Sequence, residues 1–262
     1  MKLFVDGIGL CGPGLTDWVQ GAPILAGSAM YHPAPVTLAP SELLPPAERR
    51  RMTETVKLAL AVGSEAVVRS ERQAEALPSV FTSSGGDGAT ITAILEILAS
   101  EEREVSPTRF HNSVHNAPSG YWSIATHSRE SSTSLCAHDF SFAAGLLEAA
   151  SLATSEAKPV LLVAYDLPYP AVLHAARPIQ SIFGTALLLS PVRESRSLAA
   201  LTLSLDREAA ETTMPDPALE ALRIGNPAAR ALPVLAALAG GAPRRVTVAL
   251  MAGNRLTLEV AP

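Results

Sequence analysis

Residues 158–168, KPVLLVAYDLP, contain an almost unbroken apolar run between two prolines. Such a run is typical of a central strand covered by helices on both faces, because both sides of the strand must then be apolar. Further strands are predicted at 2–10, 77–88, 183–192 and 198–206. Amphipathic helices are predicted at 45–70, 89–102 and 139–156. This alternation predicts an α/β fold, a layered mixed sheet flanked by helices.

The other segments are less regular. Residues 19–47 are rich in proline and predict an irregular excursion, and 107–130 predict a polar loop with several His, Asn and aromatic residues. Helices are predicted within 217–240, although Pro233 is expected to interrupt the second one. Residues 244–261 alternate apolar and polar residues around Ala-Gly-Asn, which predicts a hairpin. The polar stretch 207–218 is the expected joint between 1–206 and the C-terminal 207–262, which would complete the domain.

Composition excludes several classes of protein. The net charge is −5, and the only basic run is Arg49, Arg50 and Arg51, so no nucleic-acid partner is expected. That run predicts either a solvated helix face or a weak attraction for an acidic carrier protein. No apolar stretch reaches membrane-spanning length and no secretory signal opens the chain, so a cytoplasmic location is expected. Cys11 and Cys136 form neither a metal spacing nor a disulfide framework, and no cofactor or metal is expected.

Cys136 is the strongest candidate for chemistry. It ends the strand candidate STSLCA, 132–137, and precedes the predicted helix at 139. A helix N-terminus lowers the pKa of a thiol and supplies N–H groups for an oxyanion, so a nucleophile is one interpretation. A small buried hydrophobic residue is the other, with equal weight. None of the histidines that could serve as a base stands in a recognisable motif: His111, His115, His127, His138 and His174.

Two glycine-rich turns could in principle hold phosphate. SSGGDG, 83–88, follows a strand and precedes a helix, and GIGLCGPG, 7–14, ends the first strand. Neither has the P-loop lysine or the dinucleotide-binding spacing, so tight turns with close backbone packing are the favoured interpretation. No GxSxG motif is present, which argues against a serine hydrolase.

Taken in order, these segments resemble β-ketoacyl synthases of the thiolase fold. The family's nucleophile region is similar to Phe110-His111-Asn112, to 116–120 (NAPSG) and to 134–137 (SLCA). VDGIGLCGPG, SVFTSSGGDG and FGTALLLSPV are similar to the family's opening strand, second strand and closing segment. The resemblance covers 1–206 and implies a thiolase-like fold reduced to one ketosynthase half.

The departures from the family pattern bear on function. Both catalytic histidines of the family lie in its C-terminal half, in motifs that this chain lacks after residue 206. Without them, nothing stabilises the charge that develops in decarboxylative condensation. Cys136 is therefore expected to be a vestigial nucleophile. The resemblance is greatest to the short chain-length-factor subunits of aryl polyene and related pathways, which pair with a complete ketosynthase.

The resemblance implies a non-catalytic chain length factor that heterodimerises with a full-length β-ketoacyl-ACP synthase, with an acyl carrier protein as a further partner. It would shape the acyl tunnel in polyene or fatty-acid-like biosynthesis. The strand before Cys136 would form the joint. The residues expected at the interface or tunnel are Phe110, Asn112, Asn116, Tyr121, Trp122, Ser132, Ser134 and Leu135. Two alternatives stay open: an acyl-accepting enzyme that uses Cys136, and a homodimeric scaffold or acyl-binding protein.

Overall fold

A computed structural model describes residues 1–101, 103–251 and 253–262. In it, eight strands form one mixed sheet. The strands are β1 (Lys2–Cys11), β2 (Ser79–Thr82), β3 (Ser132–Leu135), β4 (Val160–Asp166), β5 (Phe183–Ser190), β6 (Ala199–Asp206), β7 (Arg244–Ala249) and β8 (Arg255–Ala261). Their order across the sheet is β3-β2-β4-β5-β1-β6-β8-β7. The β3-β2-β4 part is parallel, and every other pairing is antiparallel.

Within the described residues, ten helices connect the strands. They are α1 (Trp18–Leu25), α2 (Pro46–Arg49), α3 (Glu54–Ser70), α4 (Gly88–Ala99), α5 (Pro107–Ser113), α6 (Ala117–Thr126), α7 (Ser141–Glu156), α8 (Ala171–His174), α9 (Pro217–Gly225) and α10 (Leu232–Ala239). The apolar run that opened the sequence argument is β4, and every residue of β4 and β5 is buried. The predicted α/β architecture is therefore confirmed.

Helices cover both faces of the sheet. One core cluster holds α3 and α6 against the sheet, and the other holds α1, α7 and α10 against the opposite face. Two glycines in β1 allow α3 to pack directly on the strand. A Cβ atom at Gly9 would lie 1.9 Å from the Val62 carbonyl oxygen, and one at Gly7 would lie 2.0 Å from that of Ala66. The predicted close backbone packing is therefore present, but Gly7 and Gly9 lie within β1 and not in a turn.

The C-terminal residues are integrated into this domain. The predicted hairpin is β7 and β8, and it extends the same sheet beyond β6. A 3₁₀ turn, Ala228–Ala231, and α10 pack over the apolar face of α7 and the hairpin. Pro233 lies in the first turn of α10, where a missing N–H costs little, so it starts this helix and does not interrupt one.

Several predicted segments differ from the structure. Residues 107–130 are not a loop, because α5 and α6 occupy most of them. Ser106 caps α5, its Oγ accepting from Arg109 N at 3.2 Å, and prolines stand in the first turn of both helices. The excursion at 19–47 contains most of α1 and part of α2. Glu102 of the predicted second helix and Ala252 of the predicted hairpin turn lie outside the described residues.

Among the described residues, no helix combines the length and the apolar character that crossing a membrane requires.

Candidate functional site

Strand β3 lies at one end of the sheet and has a neighbour on one side only. Ser79 N and Ser83 N donate to the carbonyls of Ser131 and Leu135. Ser131 and Leu135 therefore turn their backbone groups toward β2. Because successive residues of a strand point their backbone groups in opposite directions, Ser132 and Ser134 turn theirs outward. Within the described residues, the outward N–H and C=O groups of Ser132 and Ser134 have no backbone partner. We call these four groups the open edge of β3.

The opposite end of the sheet is protected. Strand β7 is the other edge, and the segment before α9 lies against it. Thr212 N donates to the Thr247 carbonyl at 2.9 Å, and Thr247 N donates to Thr212 Oγ1 at 3.0 Å. Two arginines, Arg244 and Arg245, also begin this strand. Charge and a covering segment are the usual means of blunting an edge, and β3 carries no charged residue.

Apolar side chains are exposed on helices that are linked to the open edge through α6. Helix α4 buries only Gly88 and Thr92, although most of its residues are apolar. It contacts α5 and α8, and α6 contacts β3, so these elements form one continuous region. The large apolar residues exposed on them are Leu95, Leu98, Phe110, Val114, Ile124 and Val172. We call these six residues the α4 patch. A patch of this kind beside an unpaired strand is typical of a protein–protein interface.

Cys136 follows β3 and is exposed, so its interpretation as a buried hydrophobic residue is wrong. A 3₁₀ turn at His138–Phe140 leads into α7, which begins at Ser141, so the predicted effect of a helix N-terminus on this thiol stays a prediction. Cys136 Sγ donates to the Ser84 carbonyl at 3.1 Å. The N–H of Ala137, which could bind an oxyanion, already donates to Ser141 Oγ at 3.0 Å. The thiol of Cys136 and the N–H of Ala137 are therefore both already hydrogen-bonded within the chain.

The histidines have other neighbours. His115 Nε2 lies 3.2 Å from the Ser83 carbonyl oxygen, and the His111 ring packs edge-on against Tyr121. His138 adopts a positive φ of 53° and lies beside Asp139 and Arg177. Within the described residues, no histidine makes a hydrogen bond to Cys136. The geometry therefore supplies the thiol with an acceptor carbonyl, and a base would have to come from elsewhere.

The glycine loop 83–88 is stabilised from behind by Asp166, the last residue of β4. Asp166 Oδ1 accepts from Ser84 N at 2.8 Å, Ser84 Oγ at 2.7 Å and Ser83 Oγ at 3.0 Å. Burial raises the pKa of the Asp166 carboxyl to about 6, while these donors and Arg177 act in the opposite direction. The ring of Tyr169 fills the space above Gly85 and Gly88. With its donors bonded inward and Tyr169 above it, the loop fits the predicted tight turn.

The other predicted site residues divide by burial. Phe110 is 66% exposed on α5, while Tyr121 and Trp122 are 1% exposed and belong to the core of the chain itself. Tyr121 Oη donates to Asn112 Oδ1 at 3.1 Å, and Asn112 Nδ2 donates to the Arg51 carbonyl at 2.8 Å, which joins α5 to the end of α2. Asn116 is exposed. In the isolated chain, the exposed members of this set, such as Phe110 and Asn116, face solvent, whereas Tyr121 and Trp122 do not. The role of the set at an interface or tunnel stays a prediction.

The structure adds polar residues that the sequence argument did not select. From the sequence alone, Asp166 belongs to a predicted strand, Ser84 to a predicted turn and Ser141 to a predicted helix, and none of them is a candidate site residue. Asn226, fully buried, donates from Nδ2 to the carbonyls of Asp166 and Ser181 and accepts from two amides of the following 3₁₀ turn. The one sequence signal that could have selected Asp166 is its position as a carboxylate at the end of an apolar strand.

Comparison with known proteins identifies the family. The model of the β-ketoacyl synthase N-terminal domain matches residues 25–240. Among curated proteins, none matches this chain in sequence.

Solved ketosynthase complexes have the same fold. The chain is similar to one in the complex of ketosynthase ApeO with its chain length factor ApeC from Xenorhabdus doucetiae, with a TM-score of 0.75, 22% identity and 99% of each chain covered. It is similar to one in the ishigamide ketosynthase/chain length factor, with a TM-score of 0.74, 14% identity, and 99% of this chain and 98% of that chain covered.

A third similar structure is AntDE:AntF, a type II polyketide acyl-carrier protein in complex with its ketosynthase, with a TM-score of 0.74, 12% identity and 99% of each chain covered. These likenesses confirm the thiolase-like ketosynthase half that the sequence predicted. Because the family model covers most of the sequence, the chain belongs to the β-ketoacyl synthase family and carries its N-terminal domain.

Proposed function

We propose that this chain is a non-catalytic subunit, similar to a chain length factor, that pairs with a complete β-ketoacyl-ACP synthase. It would line part of that enzyme's acyl tunnel during the synthesis of a polyene or fatty-acid-like chain. The observation that carries the proposal is the open edge of β3, which is uncharged and is linked to the α4 patch through α6. Two of the similar structures are named as ketosynthases with a chain length factor, which supports the proposal.

Backbone geometry suggests how the partner would bind. An antiparallel strand centred opposite Thr133 could exchange two hydrogen bonds with Ser132 and two with Ser134. Four hydrogen bonds over so short a strand would fix the register, and apolar contact with the α4 patch would supply most of the buried area. The partner is therefore expected to present a short uncharged strand beside an apolar surface.

A tunnel would need walls from both chains. A cavity of about 280 Å³ lies beside the start of α4, lined by Thr53, Asp87, Thr90, Ala93 and Leu167 among others. Pockets that hold a whole small-molecule ligand usually measure about 300–1,000 Å³. The cavity is thus small for a growing acyl chain, and its open side would have to be closed by the partner.

The acyl-accepting enzyme is the second candidate, and the exposure of Cys136 keeps it testable. The Ser84 carbonyl accepts a hydrogen bond from the protonated sulfur only, and a thiolate would lose that contact. The occupied Ala137 N–H also removes one donor that an oxyanion would need. Both observations favour the structural role of this turn over catalysis.

Co-expression with a complete ketosynthase tests the main proposal. Ser134→Pro removes one outward N–H and leaves the bonds to β2 in place, so we expect the wild-type chain to co-purify and this variant to be lost. Ser132→Asp, which introduces a charge beside the edge, should weaken pairing as well. Ser204→Asp, on an exposed position of β6, is the matched control. Pairing that survives Ser134→Pro would place the interface elsewhere.

Intact-mass measurement separates the remaining alternatives. After incubation of the chain alone with acyl carrier protein thioesters, we expect no stoichiometric adduct. An adduct that disappears in Cys136→Ala would support the enzyme and contradict a purely structural role. A stable dimer of the chain alone by light scattering, with no binding to a ketosynthase, would favour the homodimeric scaffold.

The acyl carrier protein is the further partner that we propose, through the arginines at the end of α2. The link from Asn112 to the Arg51 carbonyl brings this run next to α5. An acidic carrier would be attracted to this basic surface. Replacing Arg49 and Arg50 with Ser should weaken carrier binding at low salt, while Arg193→Ser, the control, should not. Unchanged carrier binding would exclude this surface without affecting the heterodimer.

A further inference from the structure

The cavity of about 280 Å³ beside the start of α4 is also the place where α3 begins. Glu54 and Thr55, the first two residues of α3, line it together with Gly88 and Ala89, the first two residues of α4. The two helices have 17 and 12 residues, so each carries a substantial dipole with its positive end at the cavity.

Four main-chain N–H groups at this cavity lack an acceptor. The N-cap residues, Thr53 and Asp87, each accept from the third and fourth N–H groups of their helix, through the side chain and the carbonyl. Among the described residues, the first two N–H groups of each helix have no acceptor. Because such groups point outward along the helix axis, both helices present free donors at the same cavity.

A buried side chain at the same place also indicates a ligand. Thr55 is 4% exposed and lines the cavity. Its hydroxyl makes no hydrogen bond within the part of the chain that the structure describes, and yet it is not enclosed by protein. A hydroxyl in so deeply buried a residue normally has a partner, because an unpaired one costs free energy. A ligand oxygen in the cavity would supply that partner.

The side-chain charges around the cavity cancel. Arg109 lines it and forms no ion pair with any described residue. The charge of Asp87 offsets that of Arg109, and Asp87 Oδ2 is enclosed by protein, so it presents no surface to the cavity. Glu54 Oε1 is paired with Lys57 Nζ at 2.6 Å. The two helix ends then leave a balance of about one positive charge, since each is equivalent to about half a charge.

We propose that this cavity binds a short aliphatic carboxylate. Its carboxylate group would accept hydrogen bonds from the N–H groups of both helices, the Thr55 hydroxyl and Arg109. Its alkyl part would contact the apolar part of the lining, which is formed by Ala93, Leu167 and Pro168. One negative charge matches the local balance, whereas a doubly charged phosphate exceeds it and has no alkyl part.

Amide NMR spectra of the full isotope-labelled chain, titrated with butyrate, test this site. We expect the amides of Glu54, Thr55, Gly88 and Ala89 to shift together and to saturate. The expected dissociation constant is about 1 mM, which a ligand this small can reach. Butyramide, the uncharged analogue, and phosphate should each bind at least about tenfold more weakly, because a charge-assisted contact or the apolar contact is then missing.

Two variants with matched controls assign the side chains. Arg109→Gln should weaken butyrate binding about tenfold, as expected for a charge-assisted hydrogen bond, and Arg129→Gln, at an exposed arginine outside the cavity, should not. Thr55→Val keeps the shape of the side chain and should weaken binding about fivefold, whereas Thr202→Val, at an exposed position of β6, should leave it unchanged.

Three results would overturn the proposal. Butyramide that binds as tightly as butyrate would show that the N–H groups and Arg109 do not recognise a charge. Butyrate that shifts amides away from the cavity, or that never saturates these four, would show that the cavity is not a site. Unchanged affinity in Arg109→Gln is the third, and it stays decisive if Thr55→Val does not fold. Binding needs only this chain, so none of these results affects the proposed heterodimer.

Discussion

Arg72 and Asp6 form an ion pair between the end of α3 and the middle of β1, with Arg72 Nη2 2.7 Å and Nε 3.1 Å from Asp6 Oδ2. The Asp6 side chain is fully buried, and its other oxygen accepts from Ser197 Oγ at 2.8 Å. Arg72 also binds Glu194 at 2.8 Å, and this contact lowers the pKa of Glu194. Because a buried carboxylate is stable only when paired, this contact fixes where α3 meets the sheet.

Arg72→Met should therefore destabilise the chain strongly. Removing the guanidinium leaves Asp6 buried without its cation, which costs about 3–5 kcal/mol in comparable cases. Urea unfolding measures the loss. Arg69→Met, which removes a partly exposed pair with Glu65, is the control and should cost about 1 kcal/mol or less. Equal losses in the two variants would show that the buried pair has no special role.

Gly9→Ala should prevent normal folding or cost more than about 3 kcal/mol, because its Cβ would overlap the Val62 carbonyl and backbone cannot easily move aside. Gly120→Ala provides the opposite case. It lies in α6 with nothing within 4 Å of the added Cβ, so we expect a gain of about 0.5–1 kcal/mol. Thermal unfolding of both variants checks the pair. A Gly9→Ala chain of normal stability would mean that α3 does not rest on β1 as described.

Asn226→Ala should cost about 3 kcal/mol, because the amide satisfies buried backbone groups of three separate segments. The loss should be largest in hydrogen-exchange protection around the end of β4. Asn116→Ala, which changes an exposed amide that does not cap α6 by its side chain, should leave stability nearly unchanged. A small effect of Asn226→Ala would imply that water replaces the amide.

The two thiols should differ greatly in reactivity at pH 8. Cys136 is exposed, whereas burial and the nearby Glu65 raise the pKa of Cys11 to about 11. Since the thiolate is the reacting form, one equivalent of thiol should react quickly in the native chain and two after denaturation. Ellman titration counts them. A fast second equivalent in the native chain would contradict the packing around Cys11, and Cys136→Ala should abolish the fast phase.

Pairing with a ketosynthase should also be visible at Cys136. The residue ends the strand that we propose as the interface, so a bound partner would cover it or its approach. We expect alkylation of Cys136 to slow at least about tenfold when the ketosynthase is added, while Cys11 stays unreactive. A complex that forms without any change in this rate would mean that the joint lies away from β3.

Local pattern predicted most of the framework. The apolar runs became β4 and β5 because a strand buried on both faces needs nothing except apolar residues, and α3 and α7 followed from helical periodicity. The helices within 107–130 were missed because their sequence is polar and aromatic, and their stability comes from caps and from packing of Tyr121 and Trp122. Periodicity does not report that packing.

The sequence by itself determined the fold class, the family and the place of Cys136 after a strand, because apolar spacing and motif order are properties of the chain. Only the tertiary structure decided that β3 is an edge with outward groups on Ser132 and Ser134, while Thr212 covers the other edge. It also decided that Cys136 donates to the Ser84 carbonyl and that Asp166 lies behind that loop. Strand order and burial arise from contacts between segments far apart in sequence, so no local pattern encodes them.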